Sequence, residues 1–340
     1  MKLLKAGLLA ALIAGAQPAA SETTIVFNNF LSPNDALWTD VMLPWIADVE
    51  KATEGRVKFT VPASSLAPPP ELLNAVQQGV ADGAFQMVSF LRAAHPELQM
   101  PLLPMTYFGN EETSVALWRT YEKFFKGKND LKDVELLGLV TTPPNSLINM
   151  KPTPFQSVAD IKGVKFWSLP GIPAETLTAL GAVVTPGPAV RMYEVISGGV
   201  VDAFCCINYE SLEVFNVAQY IGAGTDIPGH LFAPAFAVFV RADVFAGISA
   251  EDQAAIRAVS GEVLARRGSF GDPVEAAARQ RIAAMGKTVV PASETFVAEL
   301  EAAVAPVRAA WIEATKAKGI DAAAALDYYL AQQAAVKAGN

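Results

Sequence analysis

Few residues in this 340-residue chain have the types and spacing that chemistry needs. Its two histidines, His95 and His230, are far apart, and neither has a cysteine or histidine at metal-ligand spacing. The chain contains no Gly-x-Ser-x-Gly elbow and no Gly-rich phosphate loop of either standard pattern. Asp82 and Asp202 could be read as paired acids, yet each follows a helix-ending glycine, where a structural hydrogen bond is the expected role. The only cysteines, Cys205 and Cys206, are adjacent. In an oxidising compartment they could close a strained vicinal disulfide, or they could pack as two buried thiols. No catalytic residue, metal ligand or cofactor is assigned, and an enzyme is not expected.

What remains suits the holding of a small molecule. In open α/β sheets a ligand sits beyond the carboxyl ends of the strands, where the loops converge. That rule selects Asn29 and Phe30 after the first strand, and Trp38 opening the next helix. It also selects Phe90 and Arg92, with Ser89, after the strand that begins at Val80, and Asn145 after a crossover strand. Trp167 ends the strand from Val164; Phe204, Cys206 and Tyr209 follow a later one, and Phe236 lies at the return crossing. Many of these are aromatic and few are charged. Such a lining suits a cation, through the ring quadrupole, or a neutral flat molecule. For each aromatic the competing reading is core packing. A carboxylate would need Arg92 or Arg191, the latter expected to face solvent, whereas a cation could use Asp35 or Glu210.

These positions need strands and helices in alternation to hold them. Thr24–Phe27 reads as a strand, and Trp38, Val41, Met42, Trp45, Ile46 and Val49 recur at helical spacing behind it. Arg56–Val61, Val80–Val88, Leu136–Thr142, Phe236–Val240 and Thr288–Val290 are further extended segments. Ser249 reads as a helix N-cap before an acidic first turn. Elements of this kind indicate βα units and mainly parallel sheets. A weak internal repeat sharpens the picture: Leu72–Phe85 (LLNAVQQGVADGAF) and Met192–Cys205 (MYEVISGGVVDAFC) each read as helix, glycine stop, Val-x-Asp and strand. One copy per half predicts two lobes of similar topology. The Pro143-Pro144-Asn145 segment is the expected crossover, with a return near Phe236.

Lys2 and Lys5, the uncharged run Ala6–Ala16 and the small residues at 19–21 form a signal-peptide pattern over residues 1–21. The run is shorter than the ~20 residues of a membrane span. The formal charge of −8 becomes more negative once the leader lysines leave, which argues against nucleic acid as a partner. The remainder is long enough for two domains.

The run Leu66–Asp82 resembles the first-lobe signature of the solute receptors of TRAP transporters. Asp160–Lys165, Leu180–Ala182 and Glu194–Asp202 resemble the second, in family order along the whole mature chain. The resemblance implies a two-lobed α/β periplasmic binding protein with a mainly parallel sheet in each lobe and a ligand cleft between them. Lobe I would take residues 22–143 and about 234–285, and lobe II 144–233 and about 286–340. It further implies a periplasmic monomer that closes on a small organic molecule. The receptor would deliver it to the small and large membrane subunits of an ion-driven permease. A receptor for an ABC importer or a sensor kinase is the alternative. The family's strand after the Lys-Gly motif carries a carboxylate-binding arginine, and here Trp167 stands in that place; Ala203–Ile207 lacks the family's polar residues. The expected ligand is therefore not a typical dicarboxylate or sugar acid, but an amine, an amino alcohol, or a neutral or aromatic compound, with an organic acid held by Arg92 as the alternative.

Overall fold

The computed structural model describes residues 22–144 and 146–339, so the signal-peptide reading and Asn145 lie outside the described residues. Among the described residues, eleven strands form two sheets. The first contains β1 (Thr23–Asn28), β2 (Val57–Thr60), β3 (Gly83–Met87), β4 (Val134–Thr141) and β10 (Ala235–Arg241), in the order β2-β1-β3-β10-β4. The second contains β5 (Leu147–Asn149), β6 (Lys165–Ser168), β7 (Val183–Pro186), β8 (Ala203–Phe204), β9 (Ala223–Asp226) and β11 (Thr288–Pro291), in the order β11-β9-β5-β8-β6-β7.

The sequence passes between sheets three times, from β4 to β5, from β9 to β10 and, through the helices that follow β10, to β11. The strands that arrive at the first two crossings, β5 and β10, run antiparallel to both neighbours, while the remaining pairs are parallel. Read as β7-β6-β8-β5-β9, the second sheet repeats the order of the first. The internal repeat is the seed of this symmetry. Helices Leu72–Gln77 and Met192–Ser197 end at Gly79 and Gly199, both left-handed at φ +76° and +68°, before β3 and β8. Only glycine takes that conformation without steric cost. Asp82 then accepts a hydrogen bond from the Val26 amide at 3.0 Å and pairs with Arg241, the structural role expected of it.

Residues buried on both faces explain why β3 and β10 read as continuous apolar runs rather than alternating ones. Behind β1, Phe27 packs between Trp45, Phe59 and Phe85 at centroid distances of 5.7, 5.8 and 6.2 Å. Ser249 caps its helix as expected, accepting the Asp252 amide at 3.1 Å.

The C-terminal helices depart from the expected division at 285/286. Helix Gly271–Ala284 touches both lobes: Glu275 accepts the Tyr209 amide at 2.9 Å and Arg281 pairs with Glu213 on the second, while Asp272 accepts the Tyr107 hydroxyl at 3.0 Å on the first. Helix Ala322–Lys337 packs on the first, with Gln333 bonded to Thr113 and to the Thr106 carbonyl, each at 2.8 Å. Helix Glu294–Lys316 spans both: Glu299 takes the Val158 amide of one lobe and Trp311 donates to the Pro96 carbonyl of the other. Buried glutamine and tryptophan partners, invisible in an alanine-rich sequence, decide which lobe each helix serves.

Candidate functional site

The strand ends and loops selected from sequence meet between the two sheets. There, Phe30, Met87 and Phe236 of the first lobe and Ile207, Asn208 and Phe215 of the second line a cavity of about 40 Å³. Phe30 sits 5.1 Å from Phe85 and 6.4 Å from Phe236, so the first-lobe wall is a contiguous aromatic surface. A cavity of this size holds little more than one water. Pockets for small organic ligands run to several hundred Å³, so the lobes must part for one to enter.

Contacts across the cleft show how tightly the lobes lie. The turn at Gly171, between β6 and helix Ile172–Ala179, comes so close to the first lobe that a Cβ there would be 3.4 Å from Arg92 Cδ and from the Ser89 carbonyl oxygen. Arg92 donates from Nε and Nη2 to both carboxylate oxygens of Glu175 at 2.9 and 2.7 Å, a bidentate pair joining the lobes. The Ala36 amide donates to Glu210 Oε1 at 3.3 Å, again lobe to lobe. Asp35 lies beside it; burial first, then the Glu210 charge, pushes its carboxyl up to about 7 despite the Leu37 and Trp38 amides. Burial likewise raises Glu210.

Several buried polar atoms in this region have no hydrogen-bond partner: Ser89 Oγ, Gln99 Oε1, Trp167 Nε1 and Thr176 Oγ1. Buried orphans of this kind are rare and costly; Gln99 Oε1 and the Ser89 carbonyl lie against the Gly171 turn, while none of the four residues lines the Phe30–Phe236 cavity. Three of the four can donate.

The candidates divide accordingly. Phe30 and Phe236 face the cavity. Trp167 is fully buried on β6, in register with Thr185 and Phe204, with its indole nitrogen 3.5 Å from where a Cβ on Gly187 would be. Cys206 is buried with φ +80°, and its sulfur lies 3.6 Å from Ser168 Oγ. Both cysteines are thiols; burial and the neighbouring Cys206 push the Cys205 thiol up. Phe90 is half-buried in the turn that carries Ser89 and Arg92.

Other candidates serve the scaffold. Trp38 stacks on Phe85 at 6.3 Å behind the aromatic wall, rather than in the cavity. Asn29 closes its own turn through both bonds to Leu31. Phe204 is wholly buried in β8. Tyr209 donates its hydroxyl to Ser146 at 2.8 Å and lies under Arg279, in a polar network beside the crossover. Sequence reasoning did not single out Met87, Phe215, Gln99, Glu175 or Thr176; Ile207 lies in the segment after the second repeat, which is the one signal that pointed to it.

Two equivalent sheets with an aromatic-walled cavity between them are the architecture of a solute receptor of the periplasmic-binding class. Residues 27–314 match the model of bacterial extracellular solute-binding protein family 7 (DctP), and the chain belongs to that family of binding proteins. It is 36% identical over 334 residues to the outer membrane transporter protein TsaT of Comamonas testosteroni, covering 98% of each. A TRAP periplasmic solute-binding protein from Bordetella bronchiseptica, solved with (R)- and (S)-mandelate, is 29% identical with a TM-score of 0.87, over 92% of this chain and 99% of that one. A marine metagenome TRAP solute-binding protein specific for aromatic acid ligands, solved with metahydroxyphenylacetate, is 25% identical with a TM-score of 0.84, over 92% and 99%. The chain is thus a TRAP-type solute receptor. Among its described residues no helix is long and apolar enough to cross a membrane.

Proposed function

We propose that this receptor captures a small aromatic monocarboxylate in the periplasm, as a monomer exported by residues 1–21, and delivers it to a two-subunit TRAP permease. The observation that carries the ligand class is one aromatic wall, Phe30 with Phe236, together with buried neutral donors left unpaired in both lobes. An aryl ring stacks on the wall, and the indole N–H and hydroxyls of Trp167, Ser89 and Thr176 bond the carboxylate. Several such donors stabilise an anion in a dry site without a resident cation. The aromatic acids in the solved relatives support this reading over the amine or amino alcohol first expected from the aromatic lining.

A thermal-shift panel of mandelate, 3-hydroxyphenylacetate, benzylamine, ethanolamine and succinate tests it. The aryl acids should raise the melting temperature, since a ligand that binds only the folded chain stabilises it by mass action. Stabilisation by amines or succinate, with none by aryl acids, would sink the proposal. Trp167→Arg would force a guanidinium into a fully buried place, so Trp167→Phe is the cleaner probe of contact. It removes the indole donor and keeps an aromatic body, and should weaken aryl-acid binding roughly tenfold, the worth of one hydrogen bond to a charged group. Calorimetry giving unchanged affinity would remove Trp167 from the site.

A further inference from the structure

Among the described residues, Arg92 and Glu175 are the one charged pair that bridges the two lobes, at a partly exposed place beside the Gly171 turn. We infer that Glu175 is a specificity-determining residue: by holding the Arg92 guanidinium in a bidentate pair across the lobes, it withholds a cleft cation from the ligand and so excludes dianions. The inference rests on the aromatic monocarboxylate reading and adds how the site rejects other acids.

The geometry is what a competitor needs. Arg92 presents Nε and Nη2 in a planar fork, and both oxygens of Glu175 occupy it at 2.9 and 2.7 Å. A carboxylate on a ligand would want that same fork. The two carboxylates therefore compete, and Glu175 competes from within the molecule. A tethered group acts at an effective concentration in roughly the millimolar range, which a weakly held ligand carboxylate does not overcome. The arginine side chain is only 23% exposed, so the pair is better shielded from solvent than the glutamate's 43% alone would suggest.

The position also fits. Arg92 Cδ and the Ser89 carbonyl press on the same Gly171 turn, so the Arg92–Glu175 pair sits where the two lobes touch. A monocarboxylate needs only the neutral donors. A second carboxylate would meet Glu175, a like charge, and would find the only nearby fork filled. Arg191, the other cation considered, cannot substitute because it is two-thirds exposed and pairs with Glu194 at 2.6 Å. Discrimination by a built-in repulsive group is a general route to specificity.

Calorimetry with succinate and with (R)-mandelate on the wild type, Glu175→Gln, and the double variant Arg92→Met/Glu175→Gln separates the possibilities. Glu175→Gln should bind succinate at least tenfold more tightly than wild type, and the added Arg92→Met should abolish that gain. Mandelate binding to the wild type independently tests the functional reading; its failure leaves the succinate comparison intact. Unchanged succinate affinity in Glu175→Gln would overturn the inference. So would a gain that survives Arg92→Met, or a loss of both ligands alike, which would make the pair a plain clamp.

Discussion

Affinity for the bound acid should fall about ten- to a hundredfold as pH rises from about 5 to about 7, and Asp35→Asn should flatten that slope. Asp35 is 4% exposed with the lobes together, and burial followed by the Glu210 charge brings its carboxyl to about 7. When the lobes part, the same group meets water and returns towards its ordinary value of 3.8. Closure therefore takes up a proton between those two values. A group raised in the closed form supports closure fully below its ordinary pKa, and that support is lost as pH rises through about 7. Above 7 its contribution is flat. The full gap would give about a thousandfold, and partial hydration of the closed cleft reduces it.

The surrounding charges do not cancel the effect. Glu210, which accepts the Ala36 amide, is itself raised by burial and adds to the repulsion if Asp35 ionises. Glu213 is paired with Arg281, and Arg279 with Asp226. Glu275 is also brought to about 7, chiefly by burial, but its partners are amides and Arg279 of the second lobe. It should contribute to folding stability rather than to closure. Aryl carboxylates stay ionised over this range and add no slope of their own. A flat wild-type profile, or a slope unchanged in Asp35→Asn, would remove Asp35 from the closure equilibrium.

The parts of this design that were legible in the sequence are the local ones. The helix–glycine–strand repeat could be read because Gly79 and Gly199 encode the left-handed turns themselves. From it follow two equivalent sheets and the cleft between their strand ends. Phe30 was found because a residue just past a strand end faces the cleft in this topology, and Phe236 because it opens the strand at the return crossing. Trp38 obeyed the same rule and still turned inward, because a helix-opening aromatic can face either the cleft or the sheet, and Phe85 offered it a stacking surface. Asp35 and Glu210 were recognised as acids, but their meeting depends on lobe closure, which no local pattern encodes. Glu175 was not singled out for the same reason: its partner lies in the other lobe, 83 residues away.

Arg279→Met should destabilise the folded protein by about 2–3 kcal/mol, below the 3–5 typical of breaking a fully buried pair, since both side chains keep partial exposure. Its Nη2 donates to Asp226 Oδ1 at 2.7 Å, and Nη1 bonds the second oxygen. Asp226 also accepts from Ser146, which takes the Tyr209 hydroxyl at 2.8 Å, and the guanidinium lies 5.0 Å from the Tyr209 ring centroid. One arginine thus ties the end of β9, the segment entering β5, and helices Tyr209–Val214 and Gly271–Ala284 together. Burial alone would raise the Asp226 carboxyl, but the Arg279 and Ser146 bonds outweigh it and hold it below the ordinary value. A depressed carboxyl supports folding above its unfolded pKa and loses that support as pH falls through its folded one, so the wild-type excess over Arg279→Met should shrink on strong acidification. Urea unfolding of the wild type, Arg279→Met, Asp226→Asn and the double variant measures the coupling directly. The network requires a double variant more stable than additivity predicts, by about 1 kcal/mol or more. Additive losses would show that Arg279 and Asp226 act separately, and that the crossover is held by apolar packing alone.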